Sequence, residues 1–186
     1  MVKPVYDKYY KEKEYFGKPY KGLVEFFKNY KTKGYVLDLG CGQGRDALFL
    51  GRLGYEVKGI DISKVGINQM TTIAKKENLK VNGEVRDIYD YPVTTEYDIV
   101  LLDSMLHFYK SDIEKETKLI KRISCELKVN GILANFMISG SKRESYLKKV
   151  LNNLEIEWEV LQEGYTNYPE ADAKFHMYVI KKSGIK

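Results

Sequence analysis

Apolar and polar positions along this chain switch repeatedly between two periods. The run Val36, Leu37 and Leu39 over residues 35–39 stops at glycines, as expected of a strand buried on both faces. From Arg45 to Leu53 the apolar residues Ala47, Leu48 and Leu50 sit at helical spacing, and Gly54 provides the stop. The pattern then predicts a strand over 55–60, a helix over 64–77 with Ser63 as its N-cap, and a strand over 81–86. Tyr97 to Leu102 is another near-continuous apolar run. It leads to a long helix over 111–128, with Ile113, Leu119, Ile120, Ile123 and Leu127 on one face. Asn130-Gly131 turns the chain into a strand at Ile132–Ile138, and a helix follows at 142–153. Two last strands, 156–164 and 174–182, are joined by a loop containing Tyr168 and Pro169. Residues 5–30 read as one or two helices broken near Gly17-Lys18-Pro19, with Leu23, Phe26 and Phe27 to bury. Strands alternating with helices predict an α/β fold: a mainly parallel sheet with helices on both faces.

The densest chemistry lies where the first strand ends, at Asp38-Leu39-Gly40-Cys41-Gly42-Gln43-Gly44-Arg45-Asp46. Glycines at alternate positions allow a sharp turn and let a ligand approach the backbone, so amides are expected to face it beside a carboxylate. A dinucleotide fingerprint would need a small residue where Arg45 stands. A phosphate-binding P-loop would need Lys-Ser or Lys-Thr after Gly44, and neither is there. Asp38, Asp61, Asp87 and Asp103 all fall at predicted strand ends, on the edge where such sheets bind ligands.

The D-x-G-x-G-x-G loop, followed by Gly54-Tyr55-Glu56-Val57-Lys58-Gly59-Ile60-Asp61, resembles the class I S-adenosylmethionine-dependent methyltransferases from about Tyr35 to Lys182. Within that class, Leu37 to Leu50 with its Gly-Arg-Asp continuation looks closest to the small tellurite-resistance and thiopurine methyltransferases. The resemblance implies a Rossmann-like seven-stranded mixed sheet of order 3-2-1-4-5-7-6, and a single domain over 1–186 in which 1–33 is a helical lid region. It implies that Asp38, Gly40, Cys41, Gly42 and Gly44 lie against the methionine part of S-adenosylmethionine. Asp61 would accept from the ribose diol, since one carboxylate can take two hydroxyls; its plainer role is an acid at a helix N-terminus. Ile62 would pack on the adenine, with Asp87 and the Ile88 amide reaching its edge; Asp90 competes with Asp87, and a polar turn is the plainer reading of both.

Asp103-Ser104-Met105-Leu106-His107-Phe108 follows the fourth strand, where the family's substrate chemistry lies and where Asp103 completes the cofactor side. Amino-methylating nucleic-acid enzymes carry [DNS]-P-P-[YFW] there. The absence of a proline pair makes nucleic acid an unlikely acceptor and favours a small molecule. His107 has the titration range of a general base, although a lone histidine is more often a packing residue. Cys41 reads as a small buried hydrophobe, and Arg45 is expected to meet an acidic partner or a ligand carboxylate. Tyr6, Tyr9, Tyr10 and Tyr15 could close over the pocket and face the sulfonium.

At 186 residues with 44% hydrophobic and 31% charged positions, the chain has ample material for a core. Its net charge of +5 is scattered among Lys and Glu rather than gathered in a stripe. No secretory leader or membrane span is evident. Cys41 and Cys125 show no pairing pattern, so a cytoplasmic setting is expected, and no metal-ligand spacing appears. A monomer or homodimer is expected. The rival readings are an RNA or protein methyltransferase using the basic N-terminal region, and a non-catalytic S-adenosylmethionine-binding regulator.

Overall fold

The computed structural model describes residues 5–12 and 15–186, without the side chains of Val5, Tyr6 and Ala171. Tyr6, one of the expected lid aromatics, therefore has a side chain outside the described residues. A seven-stranded sheet of order β3-β2-β1-β4-β5-β7-β6 runs through the chain, the order the resemblance implied. The chain divides into two compact units, Met1–Tyr91 and Pro92–Lys186.

In the first unit a 3-10 helix at Val5–Lys11 and α1 (Lys21–Asn29) precede β1 (Tyr35–Leu39), α2 (Arg45–Arg52), β2 (Glu56–Asp61), α3 (Lys64–Lys76) and β3 (Val81–Val85). The three strands are parallel, with Asp38 beside Gly59 and Asp61 beside Val85. Leu23, Phe27, Leu37, Leu39, Leu50, Tyr55, Ile60 and Met70 are fully buried. Met70 lies on the α3 face toward the sheet. A Cβ placed on Gly44 would come 2.3 Å from its Cγ, and Cβ atoms on Gly59 and Gly83 would come 2.8 and 2.6 Å from its Cε. One thioether side chain thus occupies the space that three missing side chains leave. Gly66 similarly brings the first turn of α3 against the Gly42 carbonyl, 2.5 Å from where its Cβ would stand. The C-terminus of α1 is closed by Lys33, whose Nζ donates to the carbonyls of Phe27 and Tyr30 and lies over the Tyr55 ring.

The second unit holds β4 (Ile99–Asp103), α4 (Ile113–Glu126), β5 (Ile132–Ile138), α5 (Ser141–Asn152), β6 (Ile156–Tyr168) and β7 (Ala173–Ile185). β4 and β5 are parallel; β7 pairs antiparallel with both β5 and β6. The buried Lys182 ends α4 as Lys33 ends α1, donating to the carbonyls of Ser124, Cys125 and Leu127. Among the described residues, no helix is long and apolar enough to cross a membrane.

The last two strands depart from expectation. They were expected to stop at 164 and start at 174, but β6 continues to Tyr168, which pairs with Ala173. Tyr168 is therefore the end of a strand rather than part of a loop, and only the short turn around Pro169–Ala171 joins the two strands. The cause is continued alternation: Thr166 and Tyr168 point inward, and Tyr168 meets Phe175 edge-on at 5.4 Å. Pro169, lacking an N–H, is what ends the ladder.

Gly44 combines φ +82° with contact on Met70. Gly44→Ala is expected to lower stability by about 2–4 kcal/mol through left-handed strain plus overpacking, read as an earlier midpoint in denaturant unfolding.

Candidate functional site

β1 delivers Asp38 to its end, and the loop Gly40–Gly44 turns the chain into α2 with positive φ at Gly40, Gly42 and Gly44. Most of the amides expected to face a ligand are engaged within the protein. Gly40 and Cys41 donate to the Ile60 carbonyl at 2.7 and 3.2 Å, and Gly44 donates to Cys41 at 2.8 Å. Gly42 donates to Oδ2 of Asp61 at 2.9 Å. The loop is a rigid ledge tied to the tip of β2, not an open row of donors. This corrects the expected cradle, and the reason is close packing: the loop lies on α3 and β2 at backbone distance, where its own N–H groups must find partners.

Asp61 is the junction. Its Oδ1 accepts from the Ser63 amide at 2.7 Å while Oδ2 holds Gly42. Burial raises its pKa above the ordinary carboxylate value, and the two amides pull the other way. Each carboxylate oxygen can accept a second bond, so room remains for two hydroxyls. Ser63 caps α3 as expected, accepting from the Gly66 amide at 3.0 Å, and its hydroxyl donates to Asp7 of the N-terminal 3-10 helix. Ile62 and Val85 follow on the strand tips, 49% and 48% exposed. Two apolar side chains left open beside a half-buried acid match a flat apolar ring joined to a diol. Asp87 is exposed and accepts from the Tyr89 amide at 3.0 Å. Ile88 is buried and has only its backbone to offer a ligand.

Cys41 is buried with its sulfur toward Gly59. Burial pushes its thiol well above the usual range, and the carboxylates of Asp38, Asp61 and Asp46 add to that. It stays protonated at neutral pH and is no nucleophile. Arg45 finds its acid next door: Nε and Nη2 donate to Asp46 at 3.0 and 2.7 Å, with Tyr20 under the guanidinium.

The N-terminal segment is fastened over the loop. Tyr10 is buried, with its hydroxyl 2.5 Å from where a Gly42 Cβ would be. Gln69 donates to the Tyr10 carbonyl at 2.7 Å. Gln43, inside the loop, donates to the Glu12 carbonyl at 2.7 Å and accepts from the Tyr15 amide at 3.1 Å. Tyr15 packs on both Tyr9 and Phe16, with ring centroids 5.0 Å apart in each pair. Sequence reading did not single out Gln43 or Gln69, because an amide's role depends on what the fold puts opposite it.

In the second unit Asp103 ends β4, buried, and accepts from the Ser104 hydroxyl at 2.9 Å. The segment after it contains two non-glycine residues with positive φ, Ser104 at 60° and Phe108 at 52°. Glu116 holds this shape. Buried on α4, it accepts from the amides of His107 and Phe108 at 3.0 and 2.6 Å, and its Oε1 is 3.7 Å from His107 Nδ1. His107 keeps 38% of its side chain exposed and stacks on Tyr109 at 5.4 Å. Sequence reading missed Glu116, yet a signal was present: an acid falling on the apolar stripe of Ile113, Ile120 and Ile123. Among the described residues no cluster of three metal-ligating side chains occurs.

Glycine ledge, acid at the second strand tip, acid at the fourth and the 3-2-1-4-5-7-6 sheet define the fold of the class I S-adenosylmethionine-dependent methyltransferases. The chain belongs to the TehB family: the family model described as "Tellurite resistance protein TehB" matches residues 4–175. A probable S-adenosyl-L-methionine-dependent methyltransferase TehB of Haemophilus influenzae is 32% identical over 128 residues, 66% of this chain and 44% of the relative. The chain thus spans less than half the length of that curated relative. The crystal structure of TehB from Haemophilus influenzae superposes with a TM-score of 0.72 at 23% identity, covering 96% of this chain and 66% of that one. The N-methyltransferase NodS from Bradyrhizobium japonicum, in complex with S-adenosyl-L-homocysteine, gives 0.75 at 10% identity over 96% of both chains, a likeness of fold.

Replacing Glu116 with Gln keeps the shape but turns an NH2 toward one of two amide donors. Glu116→Gln is expected to loosen residues 104–109 by about 1–3 kcal/mol, seen as faster amide hydrogen exchange there than in β4.

Proposed function

We propose that this chain is an S-adenosylmethionine-dependent methyltransferase acting on a small molecule by in-line displacement. We also propose that it works as one domain, with 1–33 as the lid region. The observation that carries the reading is Asp61: a half-buried carboxylate with two acceptor positions left, set between the glycine loop and the exposed apolar tips Ile62 and Val85. Asp61 takes the ribose hydroxyls, Ile62 and Val85 cover the adenine, and Asp87 with the Ile88 backbone meets its edge. Asp38 and the Gly40–Gly44 ledge with Cys41 as filler hold the amino-acid part, the carboxylate facing its ammonium; in the second unit Asp103 is a cofactor-side acid. S-adenosylmethionine, when bound, supplies a methyl group already activated by the sulfonium.

The protein's own part is then alignment and exclusion of water. The N-terminal segment fastened by Gln43 and Gln69 serves as the cover. His107, oriented through its own amide and ring by Glu116, takes the proton of an acceptor that arrives protonated. A thiolate acceptor would not need it. A small-molecule acceptor is supported by the absence of a Pro-Pro motif after β4 and of a basic stripe. Unbridged Cys41 and Cys125 support a reducing, cytoplasmic setting, and a monomer or homodimer suits the small fold.

Calorimetric titration with S-adenosylhomocysteine tests the donor site. Asp61→Ala is expected to weaken binding by about 1.5–3 kcal/mol, roughly 10- to 150-fold; unchanged affinity would refute the ribose assignment. The pH dependence follows from the raised pKa of Asp61. For an acid raised in the folded state, the unliganded protein loses stability as pH climbs from the unfolded to the folded value. A diol that prefers the ionised form offsets that loss, so ligand-induced thermal stabilisation should grow across the same window, just above ordinary carboxylate pKa values. Asp61→Asn should remove the trend.

Transfer of labelled methyl groups to a panel of thiols, phenols, amines and RNA tests the acceptor class. Small molecules alone are expected to be labelled; labelling of RNA alone would overturn that part. His107→Ala should slow transfer to phenols and amines by about 100-fold or more while sparing thiolates. Full turnover on every acceptor would remove the base.

A further inference from the structure

Among the described residues Arg143 meets no carboxylate. It is the third residue of α5, two residues from the end of the β5–α5 turn. Among the described residues its guanidinium makes no hydrogen bond or ion pair, and Nη1 is fully withdrawn from solvent. A surface arginine that packs its stem on the protein keeps its nitrogens in water; here the side chain is half-buried and Nη1 is kept from water. Burying a charged N–H without an acceptor costs several kcal/mol unless a partner arrives.

The neighbouring carboxylate does not supply one. Glu144 is turned away, its Oε1 accepting from the Gly140 amide at 2.7 Å and its Oε2 from the Tyr165 hydroxyl at 2.9 Å. What Arg143 does meet is aromatic: its Cζ stands 5.7 Å from the centroid of Tyr109, and the Tyr109 ring stacks on His107 at 5.4 Å with 19° between planes. Tyr109 is itself 54% exposed, so the row ends in the open. The start of α5 adds positive potential to the same place, which makes an unpaired guanidinium there still less favourable and an anion more so. Tyr109, Gly140 and Glu144, the groups beside Arg143, lie in the second unit on the segments that follow β4 and β5.

We propose that Arg143 is a specificity residue that binds a carboxylate carried by the methyl acceptor, the planar acid group meeting the Nε–Nη2 edge of the guanidinium while the rest of the molecule lies along Tyr109 toward His107. Guanidinium and carboxylate match as two parallel N–H···O bonds. A row of His, Tyr and Arg suits a flat aromatic acid better than a flexible one. This deepens the proposed methyl transfer and rests on it for the word acceptor; the carboxylate site rests on Arg143 alone.

The test uses three matched pairs, 2-mercaptobenzoate, 2-hydroxybenzoate and 2-aminobenzoate against their amides. Each is titrated calorimetrically into the protein with and without saturating S-adenosylhomocysteine, then offered as an acceptor of labelled methyl groups. At least one acid is expected to bind roughly tenfold or more tightly than its amide. Arg143→Gln should abolish that preference while leaving amide binding and S-adenosylhomocysteine affinity unchanged, and Arg143→Lys should keep part of it. An acid preference that survives Arg143→Gln, equal binding of acid and amide, or no acid binding at all would overturn the proposal. Failure of S-adenosylhomocysteine to bind, with the acid preference intact on the unliganded protein, would sink the donor assignment and uphold the carboxylate site.

Discussion

Glycines in the first unit let helix, loop and strands pack at distances no Cβ would allow, and the rest of the proposed donor site depends on that contact. Met70 fills the space over Gly44, Gly59 and Gly83, and Gly66 sets the start of α3 on the Gly42 carbonyl. Helix, loop and strands are thereby fixed against one another with no slack to absorb a methyl group. The consequence is chemical as well as geometric. At this separation the loop amides meet Ile60 and Asp61, so the glycine turn is a finished surface before any ligand arrives.

Asp61 shares that rigidity. It is held by Gly42 from one side and Ser63 from the other, and burial makes its charge unfavourable. In the proposed site, that fixed carboxylate is what would favour a ligand bringing hydroxyl groups. Ser63 links the same acid to the N-terminal segment through Asp7, and Gln43 and Gln69 link the loop and α3 to that segment again. Ledge, acid and N-terminal segment are therefore one hydrogen-bonded assembly.

The second unit uses a different device for the same end. No glycine lies between Asp103 and Asp112; a buried glutamate on α4 holds the bend instead. Glu116 sets the amides of His107 and Phe108 and faces the imidazole. His107 then orders Tyr109, and Tyr109 faces Arg143. A charge buried on the back of the segment thus shapes the side chains presented on its front.

The alternation of periods, the N-cap Ser63, the stop at Gly54 and the turn at Asn130-Gly131 were legible along the chain because each is a local rule. So were Asp38, Asp61 and Asp103 as strand-end acids. The full length of β6 was less legible, since an edge strand continues wherever its partner offers a ladder, and β7 extends it to Tyr168. Which loop amides remain open, what Gln43 and Glu116 hold, and why Arg143 meets an aromatic ring rather than an acid among the described residues were decided by tertiary structure alone. Local sequence determines where the chain turns and which face is apolar. Whether a donor is satisfied or a charge compensated depends on groups tens of residues away, and only the packed fold brings them within hydrogen-bonding distance.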